Sequence, residues 1–258
     1  MDGHDRAAVA SFFTPEPIGD GATVVLGKEA AHHARVRRVA IGERVRLLDG
    51  NGGIGTGTLV RVTKSQLTVE ISGREWADPP PPVHLLVPIA DRDRMLMLAE
   101  KCAELGLTTW RPVLWRRSRS VMPRGEGSAF QGRVRARMIG ALEQSGGGWL
   151  PVIYPDSRPE HAIAAVPPGP PGPPGVRLLL APPPRGVPLG STELTSPATI
   201  ALGPEGGFED DELAMLTAAG FAATALGGNV LRFETAGIAA VAIVRALMTN
   251  PGGTTDAR

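Results

Sequence analysis

The residues whose types and spacing most clearly suggest a ligand-binding site lie in two glycine-rich segments near the end of this 258-residue chain. Residues 201–208 read ALGPEGGF and residues 225–236 read ALGGNVLRFETA, and each segment follows a short apolar run and precedes a helical pattern. Glycine is used where the backbone turns sharply or approaches a ligand closely. Two such loops side by side would form a ligand pocket walled mainly by backbone.

The charges around the first loop indicate which ligand such a pocket would accept. The loop lacks the Gly-Lys-Ser/Thr ending of a phosphate-binding P-loop, and its glycine spacing does not match a dinucleotide-binding fingerprint. Its one charged residue is Glu205, and four acids follow at 209–212, where they complement the dipole of the next helix and disfavour a polyphosphate. A ligand with an adenine, a ribose and a positive centre fits better, and S-adenosylmethionine (SAM) has those parts.

Two opposite charges, Arg232 and Glu234, flank Phe233 at the start of the last predicted helix. Side chains two residues apart do not stack on a helix, but from a turn they can diverge into one pocket. Arg232 is a candidate to bind a carboxylate or an RNA phosphate, or to stabilise an anionic base. Glu234 is a candidate to accept a proton or a hydroxyl hydrogen bond. Helix capping or a structural ion pair is the alternative for both residues.

Positive and negative charge are segregated along a chain whose formal net charge is only +1. Residues 111–137 contain eight arginines and one acid, whereas residues 191–212 contain six acids and no basic residue. A basic strip on a near-neutral protein can bind phosphates locally. The strip indicates either nucleic-acid contact or a solvated arginine face, and charge alone leaves both open.

Composition excludes several kinds of site. The single cysteine, Cys102, excludes an internal disulfide framework and a zinc site built from cysteines, and its place on an apolar helical stripe predicts a core residue. His32 and His33 are adjacent on a predicted helix and point to different sides, so we expect no metal site there. No apolar run reaches the roughly 18 residues of a membrane span and no secretory signal is visible, so we expect a cytoplasmic location.

A change of pattern at the prolines 79–82 predicts two domains, residues 1–78 and residues 83–250. The first domain reads as short strands with one helix, which indicates a small β-barrel. Its strands are predicted at 22–26, 44–48, 56–62 and 67–71, its helix at 28–39, and a glycine-rich turn at 49–53.

The second domain alternates strands with helices, which predicts an α/β fold with a parallel sheet covered by helices. The predicted strands are 83–89, 109–114, 152–154, 176–181, 198–202 and 222–226, and the predicted helices are 92–105, 128–145, 159–165, 209–219 and 233–248. Ligands of such sheets bind at the carboxyl ends of the strands, where both glycine-rich loops lie. The last helix is apolar nearly all round between 236 and 244, which favours a homodimer.

These residues resemble a known pattern. The chain is similar to the RsmE family of bacterial 16S ribosomal RNA uridine-N3 methyltransferases, within the SPOUT superfamily. The matching motifs are GPEGGF at 203–208, LG at 226–227, VLR at 230–232, ETA at 234–236, ELG at 104–106, EQS at 143–145 with Pro151, Arg133, and His32 and His33 with Arg38.

The resemblance implies a PUA-like barrel that helps to hold RNA, followed by a SPOUT domain with a deep trefoil knot. It also implies a homodimer that methylates uridine N3 in 16S rRNA or the small ribosomal subunit, with Arg232 and Glu234 as catalytic candidates. The residues that it places at the SAM cofactor are Leu180, Ala181, Leu202, Gly203, Glu205, Gly206, Gly207, Leu226, Gly227, Val230 and Leu231. The resemblance and the basic strip together predict that RNA is contacted by Arg35, Arg38, Arg117, Arg119, Arg133 and Gln144.

The chain departs from the family pattern in four places. Residues 91–94 read Asp-Arg-Asp-Arg where the family has Lys-Gly-Asp-Arg, Gly147 replaces an arginine, Gly140 replaces a glutamate, and Phe233 replaces a threonine. The first three changes lie on presumed RNA or active-site surfaces. They leave two alternatives open: an RNA-binding protein that keeps the cofactor fold with weak or altered methyl transfer, and a methyltransferase acting on another RNA.

Overall fold

The computed structural model of the chain describes residues 8–120, 127–166, 175–182 and 186–249. Contacts divide the chain into two compact units. The first unit comprises Met1–Pro79 and Ile139–Leu150, and the second comprises Pro80–Met138 and Pro151–Arg258. Residues 139–150, which the sequence analysis placed in the second domain, thus pack with the first unit. The domain limits 1–78 and 83–250 stay a prediction.

The first unit is a five-stranded sheet with one helix. Its elements are β1 (Ala10–Phe13), β2 (Thr23–Leu26), α1 (Lys28–Val36), β3 (Arg44–Leu48), β4 (Gly53–Val62) and β5 (Leu67–Trp76). The sheet order is β1-β3-β4-β5-β2, in which only the β1–β3 pair is parallel. The four predicted strands and the helix are present, whereas β1 was not predicted because its short Ala-Ser-Phe-Phe sequence lacks a strand-length alternating pattern.

The core of the first unit lies between α1 and the sheet. Ala31 and Ala34 of α1 are fully buried against strand residues such as Phe12, Leu47 and Leu59. The helix ends at Val36, earlier than predicted, and Arg38 beyond it has a φ of 55°, a left-handed conformation that stops helical winding.

The second unit is a seven-stranded parallel sheet. Its strands are β6 (Val83–Pro88), β7 (Thr109–Val113), β8 (Val152–Ile153), β9 (Val176–Leu180), β10 (Val187–Pro188), β11 (Ala198–Ala201) and β12 (Ala222–Ala225). The order is β10-β12-β9-β11-β6-β7-β8, and every neighbouring pair is parallel. The predicted α/β fold is confirmed, except that the two-residue β10 was not predicted. The trefoil knot stays a prediction.

Helices connect or follow the strands of this sheet along the chain. They are α2 (Arg92–Glu104), α3 (Gly127–Ser145), α4 (Pro159–Ala164), α5 (Asp210–Ala218) and α6 (Phe233–Thr249). All residues of β6 and β11 are buried, as expected for parallel strands that are covered on both faces. Within the described ranges, none of the helices combines the length and hydropathy that a bilayer crossing requires.

Helix α2 confirms the predicted apolar stripe. Met95, Leu98, Ala99 and Cys102 are all buried, and Gly106 follows the helix with a φ of 75°. Burial raises the pKa of the Cys102 thiol, so the sulfur stays protonated and unreactive. Cys102 is a core residue, as predicted.

A buried histidine lies near the start of β6. His84 is 5% exposed, and its Nδ1 atom is 2.9 Å from Thr109 Oγ1. The pKa of His84 is lowered from 6.5 to about 4, mainly by burial and also by the positive charges of Arg111 and Arg245. The imidazole is therefore neutral in the folded protein at neutral pH.

This histidine predicts a pH dependence of stability. Between pH 6.5 and about 4 the unfolded chain binds a proton at His84 that the folded chain does not, so the free energy of unfolding falls as the pH is lowered through this range. Melting temperatures of the wild type and of His84→Gln, measured from neutral pH down to pH about 4, would show a shallower decline in the variant. Equal declines would show that His84 does not set this dependence.

Candidate cofactor and active site

Three loops emerge from the same edge of the parallel sheet. Strands β12, β9 and β11 are consecutive neighbours, and they are followed by residues 226–232, 181–182 and 202–209. Neighbouring strands lie about 4.8 Å apart, so the two glycine-rich loops begin about 10 Å from each other across the end of β9. The predicted cofactor residues are thus brought to one edge of the second unit.

The first loop is a tight turn that wraps around an aromatic ring. Gly207 has a φ of 76°, and its backbone N–H donates to Pro204 O at 2.7 Å. A Cβ atom on Gly203 would lie 2.9 Å from the Phe208 ring, and that ring meets buried Trp115 edge-on at 4.8 Å. Glycine at 203 therefore allows the backbone to pass directly over Phe208.

The second loop is open to solvent. Val230 is 79% exposed and Leu231 is 39% exposed, although both side chains are apolar. Gly227 is exposed, and a Cβ atom there would meet nothing within 4 Å, whereas Leu226 is half-buried. Exposed apolar side chains beside unobstructed backbone leave surface on which an organic ligand could pack.

Arg232 and Glu234 differ in burial. Arg232 is exposed, Phe233 is buried, and Glu234 is only 5% exposed. Glu234 Oε1 lies 4.0 Å from Arg94 Nε, while its Oε2 atom is buried and has no hydrogen-bond partner among the described residues. A buried carboxylate oxygen without a partner is costly in a folded protein, and such groups are often functional.

Arg94 was absent from the predicted site. It lies at the start of α2, where Asp91 Oδ1 accepts a hydrogen bond from its backbone N–H at 3.0 Å, and its guanidinium contacts both Glu205 and Glu234. Its position at the start of the helix that follows β6 could have indicated it, because β6 ends at the same edge of the sheet as β11. Arg94 links the first loop to the beginning of α6.

The arginine strip and the acidic segment meet beside the first loop. Arg116 contacts Asp211 through its side chain, and its backbone N–H donates to Glu212 Oε1 at 2.7 Å. Arg117 Nε donates to Glu209 Oε1 at 2.9 Å, and its Nη1 donates to the backbone oxygen of Gly206. These arginines therefore hold the loop and the start of α5 together.

Arg117 approaches the first loop very closely. A Cβ atom on Gly206 would lie 2.9 Å from Arg117 Cδ. The hydrogen bond to Glu209 raises the pKa of Arg117, so the guanidinium stays charged. The structure places Arg117 against the first loop, and its predicted contact with RNA stays a prediction.

The other RNA candidates divide between the units. In the first unit, Arg35, Arg38 and Gln144 are exposed, and Arg35 Nε donates to Ala31 O at 3.2 Å. In the second unit, Arg133 is exposed and lies over the Phe130 ring at 5.6 Å. The side chain of Arg119 lies outside the described residues.

The residues around the other departures have structural roles or face solvent. Glu143, which precedes Gln144, accepts a hydrogen bond from Phe13 N at 2.9 Å and lies 2.9 Å from His33 Nδ1. Gly140 and Gly147 are exposed.

In the part of the chain that the structure describes, no group of three or more histidine, cysteine, aspartate or glutamate residues is placed to hold a metal ion.

Comparison with known proteins identifies the family. Residues 78–245 match the model of an RNA methyltransferase domain, and residues 26–72 match an RNA methyltransferase PUA domain. A ribosomal RNA small subunit methyltransferase E from Synechocystis is 30% identical over 236 residues, which cover 91% of this chain and 76% of that protein. The chain belongs to the ribosomal RNA small subunit methyltransferase E family. The predicted resemblance and the PUA assignment are confirmed.

Other relatives agree with this family. A ribosomal RNA small subunit methyltransferase E from Mycobacterium bovis is 29% identical, with coverage of 93% of this chain and 92% of that protein. The crystal structure of the Neisseria gonorrhoeae enzyme of the same name, bound to SAM, has a TM-score of 0.80 at 30% identity and covers 92% of this chain and 97% of that chain. A methyltransferase structure from Legionella pneumophila, also with SAM, has a TM-score of 0.78 at 26% identity over 92% of this chain and 96% of that one.

Proposed function

We propose that this protein transfers a methyl group from SAM to N3 of a uridine in 16S ribosomal RNA. The observation that carries the proposal is that two glycine-rich loops lie at one edge of the parallel sheet, together with a buried Glu234 oxygen that has no hydrogen-bond partner among the described residues. Two similar solved structures that contain SAM, one of them a ribosomal RNA small subunit methyltransferase E, support the choice of cofactor. The cytoplasm, where ribosomal RNA is made in bacteria, is the proposed location.

The donor set of the site suits SAM. Gly203 and Gly206 let Phe208 and Arg117 pack directly against the backbone of the first loop, and the carboxylates of Glu205 and Glu234, which both contact Arg94, lie beside it. The residues proposed to hold the cofactor are Leu180, Ala181, Leu202, Gly203, Glu205, Gly206, Gly207, Leu226, Gly227, Val230 and Leu231. When bound, SAM supplies an electrophilic methyl group on a positively charged sulfur.

The residues at the start of α6 would prepare the uridine. N3 of uridine carries a proton, which Glu234 accepts so that the nitrogen electron pair is free to form the new bond. Arg232 stabilises the negative charge that develops on the base and orients it. The target must be unpaired or flipped out, because N3 lies on the pairing edge of the base.

Arg117 would maintain the cofactor loop. Arg117→Gln removes the charged contacts with Glu209 and Gly206 O, so we expect a roughly fivefold to tenfold weaker binding of SAM. Isothermal titration calorimetry measures this, with Arg158→Gln, an exposed arginine at the start of α4, as the matched control. Weaker RNA binding with unchanged SAM affinity would instead assign Arg117 to the RNA.

Helix α6 supports a homodimer. Ile238, Ala239, Ala242 and Ile243 are only partly buried, and Leu247 is 42% exposed. An apolar helix that its own unit covers incompletely provides surface for a second copy of the chain. The proposed partners are therefore another copy of this protein and 16S rRNA or the small ribosomal subunit.

The experiment that tests the function is methyl transfer in vitro. The purified protein is incubated with methyl-labelled SAM and either 16S rRNA or small ribosomal subunits, and the digested nucleosides are separated by mass spectrometry. The proposal predicts label in N3-methyluridine. Label in a different nucleoside or only in another RNA would contradict the proposed target, and RNA binding without any label would contradict methyl transfer itself.

A further inference from the structure

A tryptophan at the end of β5 is unusually exposed. Trp76 is 62% exposed, although tryptophan is among the residues that folded proteins bury most on average. It lies in the first unit, outside both glycine-rich loops and outside the predicted RNA contacts. An exposed indole presents a flat apolar face on which another planar group can stack.

The indole of Trp76 is held rigidly. It meets the ring of Trp149 edge-on at 5.7 Å and an angle of 89°, and Trp149 Nε1 donates to Ala77 O at 2.9 Å. A Cβ atom on Gly52 would lie 2.8 Å from each of the two rings, and Gly52 N donates to Gly148 O at 2.8 Å. Because these contacts fix the ring before any ligand arrives, binding on it loses little side-chain entropy.

A positive charge lies on the same face of the strand. Arg74 is two residues before Trp76, and alternate residues of a strand point to the same side. The guanidinium donates from Nε to Gly19 O at 2.9 Å and from Nη2 to Gly21 O at 2.5 Å. Both acceptors are neutral carbonyls, so these bonds position the charge without neutralising it.

The surroundings favour a nucleotide over a protein partner. The neighbours of Trp76 along the strand and beyond it are polar or small, and Glu75, on the opposite face, pairs with Arg46 at 3.0 Å. Protein docking sites are typically contiguous apolar patches of several hundred Å². A single fixed aromatic face beside an arginine is how proteins bind unpaired nucleotides, whose bases stack on the ring and whose phosphates meet the cation.

We infer that Trp76 and Arg74 bind one unpaired nucleotide of the RNA substrate, with its base stacked on the indole and its phosphate near the guanidinium. The inference rests on the proposed function for the nature of the substrate, but RNA binding is measured independently of methyl transfer. It adds an RNA contact to those predicted from the sequence, far along the chain from the residues that prepare the target uridine.

The test uses the full-length protein and fluorescein-labelled single-stranded oligouridine in a fluorescence anisotropy titration. Trp76→Leu keeps an apolar side chain against Trp149 but removes the stacking surface, and we expect about tenfold weaker binding. Trp76→Phe keeps an aromatic ring and should restore most of the affinity. Val25→Ala, at another exposed apolar residue of the same sheet, is the matched control and should bind normally. Arg74→Gln should lower the slope of log affinity against log salt by about 1.

The outcomes separate this inference from the proposed function. In methyl-transfer assays, Trp76→Leu is expected to raise the KM for RNA with kcat and SAM affinity unchanged. Oligouridine binding by Trp76→Leu as tight as that of the wild type would overturn the inference, whatever the methylation assay gives. Loss of RNA affinity in Trp76→Leu together with restoration in Trp76→Phe supports it even if the methylated nucleoside is not N3-methyluridine.

Discussion

Glu234→Gln is expected to lower the rate of methyl transfer about 10²- to 10⁴-fold, the usual contribution of a general base. Glutamine has nearly the same size as glutamate but cannot accept the N3 proton. The carboxylate is only 5% exposed and its Oε2 atom has no partner among the described residues, so an oxygen of this group remains available to the substrate. Single-turnover rates with saturating RNA and SAM would measure the effect on the chemical step alone.

The affinity for SAM distinguishes this role from a structural one. If Glu234 acts on the uridine proton, calorimetric titration of Glu234→Gln with SAM should give nearly the wild-type dissociation constant. Glu193→Gln, which changes an exposed acid on a different segment, serves as the matched control and should leave both quantities unchanged. A wild-type transfer rate in Glu234→Gln would remove Glu234 from the mechanism.

Gly206→Leu is expected to weaken SAM binding by about a hundredfold or more. A Cβ atom at this position already lies 2.9 Å from Arg117 Cδ, so the larger side chain must displace Arg117 and, with it, the loop backbone to which Arg117 donates a hydrogen bond. The φ of Gly206 lies outside the left-handed region that favours glycine, unlike that of Gly207 at 76°, so the expected effect is steric. Calorimetry with SAM measures it directly.

A matched glycine controls for nonspecific damage. Gly132 on α3 is exposed, and a Cβ atom there would meet nothing within 4 Å. Gly132→Leu should therefore bind SAM like the wild type, and melting curves would show whether both variants remain folded. Normal SAM affinity in a folded Gly206→Leu protein would show that this loop does not line the cofactor site.

Sequence patterns were sufficient where function depends on local backbone. A short apolar run followed by glycines predicts a parallel strand that ends in a tight loop, and the structure places both loops at the ends of β11 and β12. The apolar stripe of α2 likewise predicted a buried Cys102. Such features depend on residues close in sequence, whose periodicity and turn-forming residue types can be recognised without knowledge of the tertiary structure.

Contacts between distant residues could not be predicted in the same way. Arg94 and Glu205 are 111 residues apart, and Arg117 and Gly206 are 89 residues apart. Nothing in the local sequence of either residue specifies its partner, because the pairing depends on which strands become neighbours. From the sequence, the arginine strip therefore predicted a candidate RNA surface. In the structure, Arg116 and Arg117 of this strip contact the acids at the start of α5.

The most direct test of the cofactor site is a crystal structure of this protein grown with SAM. We expect density for SAM between residues 202–207 and 226–231, in contact with backbone atoms of both loops, and with Glu234 on the side open to the uridine. Density for SAM at any other place on the protein, with these two loops making no contact to it, would contradict the proposed cofactor site.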